Sequence, residues 1–494
     1  MASDHNKAGL VIVLPRGFET AGVTSWSVRL ANALADSRDC SIIAHQNLHG
    51  PARAALDPRI AVLDASHLPH SPQAWSDFYL AAAERPAIFL CQQLAESFTA
   101  CADLTRRTKS ARIIGIAHSD NAYDVLLLQH FEPALTAAIA VSSELERKLQ
   151  AAWPTRTKDV HRIAAGVELG PERPSHSQHA QTREQPLRII YTGRMEDSIK
   201  RVSALPELSA SLDRAGIAHT LTLVGDGPAA PVLDALIASR PHIRRIATVS
   251  PEQVRPLLRE ADIFVLASRL EGLSLSMLEA MSESCCCVIT QVASGAAEVI
   301  SHGANGLLVQ NHDSPAEVGR LLAQAIAHTP REEFARLGRA ARETIRQHYT
   351  IESQAAATAR LLDAAAVAPP RLWPIPIAPH FTSPTVPPGA ELKLRATLEK
   401  IRGNRIIIHG TGRHSEELAH VLRDFLADIS AFTDEDPARH GSRFLGIPVL
   451  APASAGDTGA TDVVISSHLH QDDIWSRRAM YESRGLRVHR IYRD

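Results

Sequence analysis

The stretch from Ala261 to Val309, ADIFVLASRLEGLSLSMLEAMSESCCCVITQVASGAAEVISHGANGLLV, leaves the chain little choice of fold. Ile263 to Ala267 is a short apolar run of the kind buried on both faces in a parallel sheet. A polar break leads to Glu271-Gly272-Leu273-Ser274, then a helical pattern through Ser282, then a second buried run from Cys285 to Thr290. Strand, loop, helix and strand in that order predict a parallel α/β architecture, because parallel strands need such a crossover. A loop ending in a carboxylate, a glycine and a helix start offers free amide hydrogens and a partial positive charge, which suit a phosphate. Glu279 follows Glu271 by eight residues, about two helical turns, so the two acids can reach different parts of one extended ligand.

The same alternation runs along the chain. Leu10 to Leu14 reads as the first strand, followed by a loop holding Gly22, a helix through Leu34 and a strand at Ile42 to Ala44. Gly22 lets backbone approach a ligand closely, although an ordinary turn glycine fits the same pattern. PAIFLC (Pro86 to Cys91) and RIIGIA (Arg112 to Ala117) are further buried strands, and the second ends in His118-Ser119-Asp120. A polar triplet at the carboxyl end of a parallel strand lies where open α/β sheets bind ligands, which makes His118 a candidate and Asp120 a weaker one. Ala137 to Ser142 is a strand with a serine-capped helix behind it.

Arg173 to Gln185 is polar, without periodicity, and reads as a linker. A second domain opens with the strand Leu187 to Tyr191 and Thr192-Gly193-Arg194, with Lys200 six residues on. Two cations beside a glycine-led turn suit a diphosphate: arginine pairs with its oxygens, lysine acts as a mobile point charge. Leu221 to Val224 ends in Gly225-Asp226-Gly227-Pro228, a tight turn that brings backbone near a nucleotide, with Asp226 as a helix cap. Ile243 to Val249 follows, where Arg245 and Ile246 are candidate walls for a base.

Composition narrows the class. At 494 residues the chain should hold about three domains. A formal net charge of −2 argues against nucleic acid as a partner, and no run approaches the ~18 apolar residues of a membrane span. The apolar run at the start flows into the first loop and reads as a strand, not a signal peptide. The cysteines at 40, 91, 101, 285, 286 and 287 lack zinc-ligand spacing and read as core thiols of a reducing cytoplasm. Arg106-Arg107-Thr108-Lys109, with Arg112, is a candidate contact for an anionic membrane surface; a solvated loop before a strand is the plainer reading.

Glu271-x7-Glu279 within SRLEGLSLSMLEAM, Ser294-Gly295-Ala296-Ala297-Glu298 and Asn305-Gly306-Leu307-Leu308-Val309 together resemble the signature of the retaining, nucleotide-sugar-dependent glycosyltransferases of family 4. The resemblance implies the GT-B fold, two facing Rossmann-like domains across a cleft. It implies transfer of a sugar from a nucleotide diphosphate sugar to a hydroxyl of a carbohydrate or glycolipid, a surface glycan among the candidates, with no metal and no cofactor. The expected catalytic residues are His118, Arg194, Lys200 and Glu271. The expected donor-binding residues are Gly22, Gly193, Gly225, Gly227, Gly272, Leu273, Ser274 and Glu279, the last on the ribose. Arg194 and Lys200 would neutralise the leaving diphosphate, Glu271 would hold the transferred sugar, and the leaving phosphate would take the acceptor's proton. Two positions depart from the family: Ala21-Gly22 stands for its Gly-Gly, and Lys200-Arg201 for its Lys-Gly. Sugar-nucleotide epimerases and phosphorylases share the architecture, and a non-catalytic scaffold is a third reading. The expected place is the cytoplasm, at the inner face of the membrane if the basic cluster touches lipid.

The expected divisions are an acceptor-side domain over 1–172, a linker over 173–186, a nucleotide-sugar domain over 187–366 closed by a helix that crosses back, a proline-rich linker over 367–390 and an accessory domain over 391–494. The second linker carries eight prolines between Pro369 and Pro388, which favours an extended tether or strap. In the last domain Gly410-x-Gly412 with Asp434 is a partial dinucleotide fingerprint whose third glycine is replaced by Ser415. A folding or interaction module is the plainer reading there, with acceptor recruitment left open.

Overall fold

The computed structural model describes residues 8–69, 72–120, 122–171, 185–197, 199–247, 251–374, 390–468 and 470–492. They belong to two compact units, Met1–Phe381 and Thr382–Asp494. Most of both expected linkers lies outside the described residues.

The first unit contains two parallel sheets. Strands β1 (Gly9–Leu14), β2 (Cys40–Ala44), β3 (Ala61–Asp64), β4 (Ala87–Gln92), β5 (Ala111–Ala117), β6 (Ala137–Ala140) and β7 (Val160–Arg162) form one, in the order β3-β2-β1-β4-β5-β6-β7. Strands β8 (Leu187–Thr192), β9 (His219–Val224), β10 (Ile243–Ile246), β11 (Ile263–Leu266), β12 (Cys286–Thr290) and β13 (Leu307–Val309) form the other, in the order β10-β9-β8-β11-β12-β13. In each, the order reverses beside the first strand, between β1 and β4 and between β8 and β11. Loops leaving the two strands diverge there and open a crevice at the carboxyl edge.

Continuous apolar runs explain the layering. β4, β6, β11 and β12 are buried along their whole length, as sheets covered by helices on both faces require. Cys285, Cys286 and Cys287 are among these buried positions, and burial pushes the Cys286 thiol up to about 12. None of the six cysteines forms a disulfide among the described residues.

Two crossings join the lobes of this unit. Val167 forms a bridge with Thr350, its amide donating to Tyr349 O at 2.9 Å. A Cβ on Gly166 would lie 2.4 Å from Thr350 O, so only glycine lets the two segments run so close. Thr350 then caps the helix Ile351–Val367. That helix returns to the first lobe, where Asp363 pairs with Arg38 and Gln354 Oε1 accepts from Gly166 N at 2.7 Å.

The second unit holds β14 (Ile406–His409), β15 (Ile429–Thr433), β16 (Arg443–Phe444), β17 (Ile447–Leu450), β18 (Asp462–Ile465) and β19 (Arg487–Arg490), in the order β16-β17-β15-β14-β18-β19. Only β16 runs antiparallel to its neighbour. It is a small Rossmann-like sheet with cores of its own on its two faces, one around Leu394, Ile408 and Phe432, the other around Ile407, Val463 and Tyr481.

Candidate active site

The expected donor loops of the second lobe lock together through backbone. Gly193 leaves β8 with φ 154°, and Gly225 leaves β9 with φ 136°. A Cβ on Gly225 would stand 2.0 Å from Gly193 O, and one on Gly227 would stand 2.5 Å from Met195 O. The turns are further tied by Met195 N to Asp226 O and Ala229 N to Met195 O, both 2.9 Å. Asp226 accepts from Gly227 N at 2.8 Å, so it braces its own turn and leaves the helix behind it uncapped by its side chain. The Tyr191 hydroxyl donates to Arg194 O at 2.8 Å and fixes the backbone under that arginine. The Arg194 guanidinium is 63% exposed and has only Glu196 near it, at 3.6 Å, among the described residues.

Lys200 and Glu271 meet. Lys200 Nζ is 2.5 Å from Glu271 Oε1, and Ser268 Oγ donates to the same oxygen at 2.5 Å. The glutamate is 10% exposed and its other oxygen has no partner among the described residues. Next to Lys200, Arg201 is 1% exposed with φ 48°. Its guanidinium donates to Ala267 O at 2.7 Å and Ser268 O at 2.8 Å, and also to His312 O and Asn311 Oδ1. The left-handed backbone that a glycine would take here is kept, and the side chain becomes a buried brace beneath β11. Burial lowers its pKa to about 10, which leaves it a cation at neutral pH.

Gly272 is where the lobes touch: a Cβ there would fall 1.9 Å from His118 O. Leu273 and Ser274 are buried, and Ser274 Oγ caps the helix Leu275–Ser282 by accepting from Met277 N at 3.3 Å. Ser294 Oγ donates to Gly272 O at 2.8 Å and lies 2.5 Å from Ser142 Oγ of the first lobe. Glu298 accepts from Ser143 N at 2.6 Å. Glu279, on the Leu275–Ser282 helix, forms an ion pair with Arg29 of the first lobe. The carboxyl edges of the two sheets therefore face each other.

In the first lobe His118 closes β5. Asp124 Oδ2 accepts from His118 N at 2.8 Å and Ser119 N at 2.9 Å, which shapes the turn; burial pushes the Asp124 carboxyl up to about 6. The His118 ring stands edge-on to Trp26, centroids 5.2 Å apart. Its Nε2 is 2.6 Å from Gln92 Oε1. The Gln92 amide nitrogen already donates to Ser27 Oγ at 2.9 Å and Val13 O at 3.3 Å, so its oxygen must accept from the imidazole. His118 thus carries its proton on Nε2 and presents a lone pair on Nδ1. Burial lowers its pKa to about 3, so the ring is neutral.

Several sequence expectations meet a different environment. Asp120 is paired with Lys148, and Arg245 with Asp234 at 2.6 Å, while Arg245 also donates to Gly225 O at 3.1 Å. β10 ends at Ile246, and residues 248–250 lie outside the described residues. Gly22 begins the helix Gly22–Leu34, and a Cβ there would meet nothing nearer than Leu275 Cδ1 at 3.8 Å, so sterics do not demand glycine. In the basic cluster Arg107 pairs with Asp77 at 2.6 Å and Arg112 donates to Ala368 O at 2.8 Å. Sequence reasoning passed over Gln92, Arg29, Ser268 and Asp124. Gln92 had a signal, a polar residue ending the apolar strand PAIFLC; Arg29 had none, because its partner is 250 positions away.

In the second unit Asp434 Oδ2 accepts from Thr411 N at 2.8 Å and Thr411 Oγ at 2.6 Å. Ser415 Oγ donates to Gly410 O at 2.6 Å. The acid and the serine of the partial dinucleotide pattern are spent on pinning their own loop.

Residues 186–328 match the model of the family described as glycosyl transferases group 1. Over these residues the chain is similar to the group 1 glycosyltransferases. An N-acetyl-alpha-D-glucosaminyl L-malate synthase of Bacillus anthracis is 34% identical over 135 residues, 27% of this chain and 34% of that one. An alpha-D-kanosaminyltransferase of Streptomyces kanamyceticus is 29% identical over 182 residues, 35% of this chain and 45% of that one. The matches therefore span less than half the length of either relative. A crystal structure of Anabaena HepE in complex with UDP-glucose matches with a TM-score of 0.59 at 15% identity, over 72% of this chain and 99% of that one. At that identity the likeness is one of fold, and the fold is GT-B. The matched segment supplies β8 to β13 and with them Arg194, Lys200, Glu271 and Glu279.

Proposed function

We propose that the chain is a retaining glycosyltransferase that moves a sugar from a nucleoside diphosphate sugar to a hydroxyl acceptor. The observation that carries this reading is the Lys200–Glu271 pair next to Gly272, which packs on His118 where the two carboxyl edges meet, with Arg194 on the loop that leaves β8. Charge grows on the leaving diphosphate as the glycosidic bond breaks. Arg194, held by its backbone and exposed at its guanidinium beside Glu196, and Lys200, with two ammonium hydrogens beyond the one given to Glu271, stabilise that charge. The open oxygen of Glu271 and the Nδ1 lone pair of His118 accept from hydroxyls of the transferred sugar and fix its orientation. Glu279 accepts from the ribose once Arg29 yields. The leaving phosphate takes the acceptor's proton on the same face, so this reading calls on no protein nucleophile and no metal. A surface glycan or glycolipid is the acceptor class we put first.

A panel of UDP-, GDP-, ADP- and TDP-sugars tests the reading, uridine first because the Anabaena structure was solved with UDP-glucose. Binding and slow donor hydrolysis are expected from the wild type, with hydrolysis lost in Glu271→Ala and Lys200→Ala. Equal rates in wild type and Glu271→Ala would assign the chain to the scaffold reading. A new glycosidic product separates transfer from epimerisation and phosphorolysis.

A further inference from the structure

A second polar cluster lies at the other edge of the matched segment's sheet. β9 begins at His219, and His242 immediately precedes β10. Leu221 N donates to His242 O at 2.9 Å, which sets the two histidines on neighbouring strand starts. The helix Ala204–Arg214 ends above them and brings Ser209 and Asp213, one turn apart, to the same point. One candidate ligand atom from each of Asp213, His219 and His242 lies within 4.8 Å of the others.

The hydrogen bonds set which nitrogen of His219 can act as a ligand. His219 Nδ1 is 2.9 Å from Ile217 O, so that nitrogen carries the proton and Nε2 keeps its lone pair. Nε2 is 2.7 Å from Ser209 Oγ, and His242 Nε2 is 3.1 Å from the same oxygen. Ser209 gives its one hydroxyl hydrogen to His219 Nε2, and its oxygen can accept from His242 Nε2, so both nitrogens point at the same hydroxyl. Asp213 Oδ2 stands 3.4 Å from His242 Nε2, and the two imidazoles meet edge to face with centroids 5.0 Å apart.

We propose that Asp213, His219 and His242 bind a borderline divalent transition-metal ion, Zn²⁺ first, with the Ser209 hydroxyl or a water completing the shell. Two imidazoles and one carboxylate are a zinc donor set, whereas Ca²⁺ and Mg²⁺ take oxygen ligands. The Ile217 carbonyl on the far nitrogen of His219 is the outer-shell partner that fixes tautomer and ring orientation at such sites. The ion staples the end of one helix to the starts of two strands. It lies at the amino ends of strands whose carboxyl ends carry the transferase loops, so it takes no part in sugar transfer.

The test uses the full chain, stripped with EDTA and titrated with ZnCl₂ for thermal unfolding and with CoCl₂ for visible absorption. The wild type is expected to bind one equivalent of Co²⁺ with a tetrahedral d–d band and to melt higher with Zn²⁺. His219 is buried, so the variants are His242→Ala and Asp213→Asn at the more open positions. Each is expected to bind at least about tenfold more weakly, while its metal-free melting stays close to that of the wild type. No band and no rise in melting temperature in the wild type, or wild-type affinity in both variants, overturns the site. None of these readouts involves a sugar donor, so they stand apart from the transferase reading.

Discussion

Gln92 and His118 show how one buried amide decides what an imidazole can do. With its nitrogen committed to Ser27 and Val13, Gln92 forces the His118 proton onto Nε2. Gln92→Leu removes that constraint, and kcat/KM for transfer is expected to fall by about tenfold, the worth of one oriented hydrogen bond; steady-state kinetics read this against unchanged thermal unfolding. The same ring sets a pH dependence. An unfolded histidine takes a proton near pH 6.5, whereas His118 in the fold resists until about 3. Below 6.5 the unfolded chain therefore binds more protons, and stability present above that pH is lost as pH falls toward 3. Urea melts across this window are expected to show a shallower loss in His118→Gln than in the wild type. His118 was legible in the sequence because it closes an apolar strand. Its tautomer was not, because that depends on the Val13 carbonyl of β1 and on side chains from β4 and the first helix.

At the level of elements, the loop around Lys200 carries a larger surprise. The pattern Lys-Arg, where the family resemblance leads one to expect Lys-Gly, reads as a change to the loop, yet the backbone at Arg201 keeps a left-handed turn. Three carbonyl oxygens and an asparagine, drawn from β11's end and residues 311–312, receive the guanidinium. Arg201→Ala is expected to destabilise the chain by about 3 kcal/mol, since it keeps the strained φ and orphans buried carbonyls. Arg201→Gly relieves the strain and should recover about 1 kcal/mol of that; paired denaturant melts distinguish them. Gly225→Ala drives a methyl to 2.0 Å from Gly193 O, with an expected loss of about 3 kcal/mol and of nucleotide binding by thermal shift. The strand–loop–helix order of both lobes was readable because buried parallel strands are uninterrupted apolar runs. The interlocking of Gly193, Gly225 and Gly227 was not, since it arises between loops leaving different strands.

For the whole molecule, the contact of Arg29 with Glu279 ties the lobes through the carboxylate that the transferase reading assigns to the ribose. Both side chains are about one-fifth exposed, so the pair itself is worth at most about 1 kcal/mol. Arg29→Ala is expected to tighten nucleotide binding by up to about tenfold, measured by calorimetry, because the donor no longer competes with a cation for Glu279. The lobes' other meeting point has a mechanical consequence. The outgoing chain at Val167 and the returning chain at Thr350 are hydrogen-bonded neighbours, pressed together at Gly166. Two strands sewn side by side behave as the spine of a book. They let the covers swing about one line but not slide past each other, so whatever enters does so from the fore-edge.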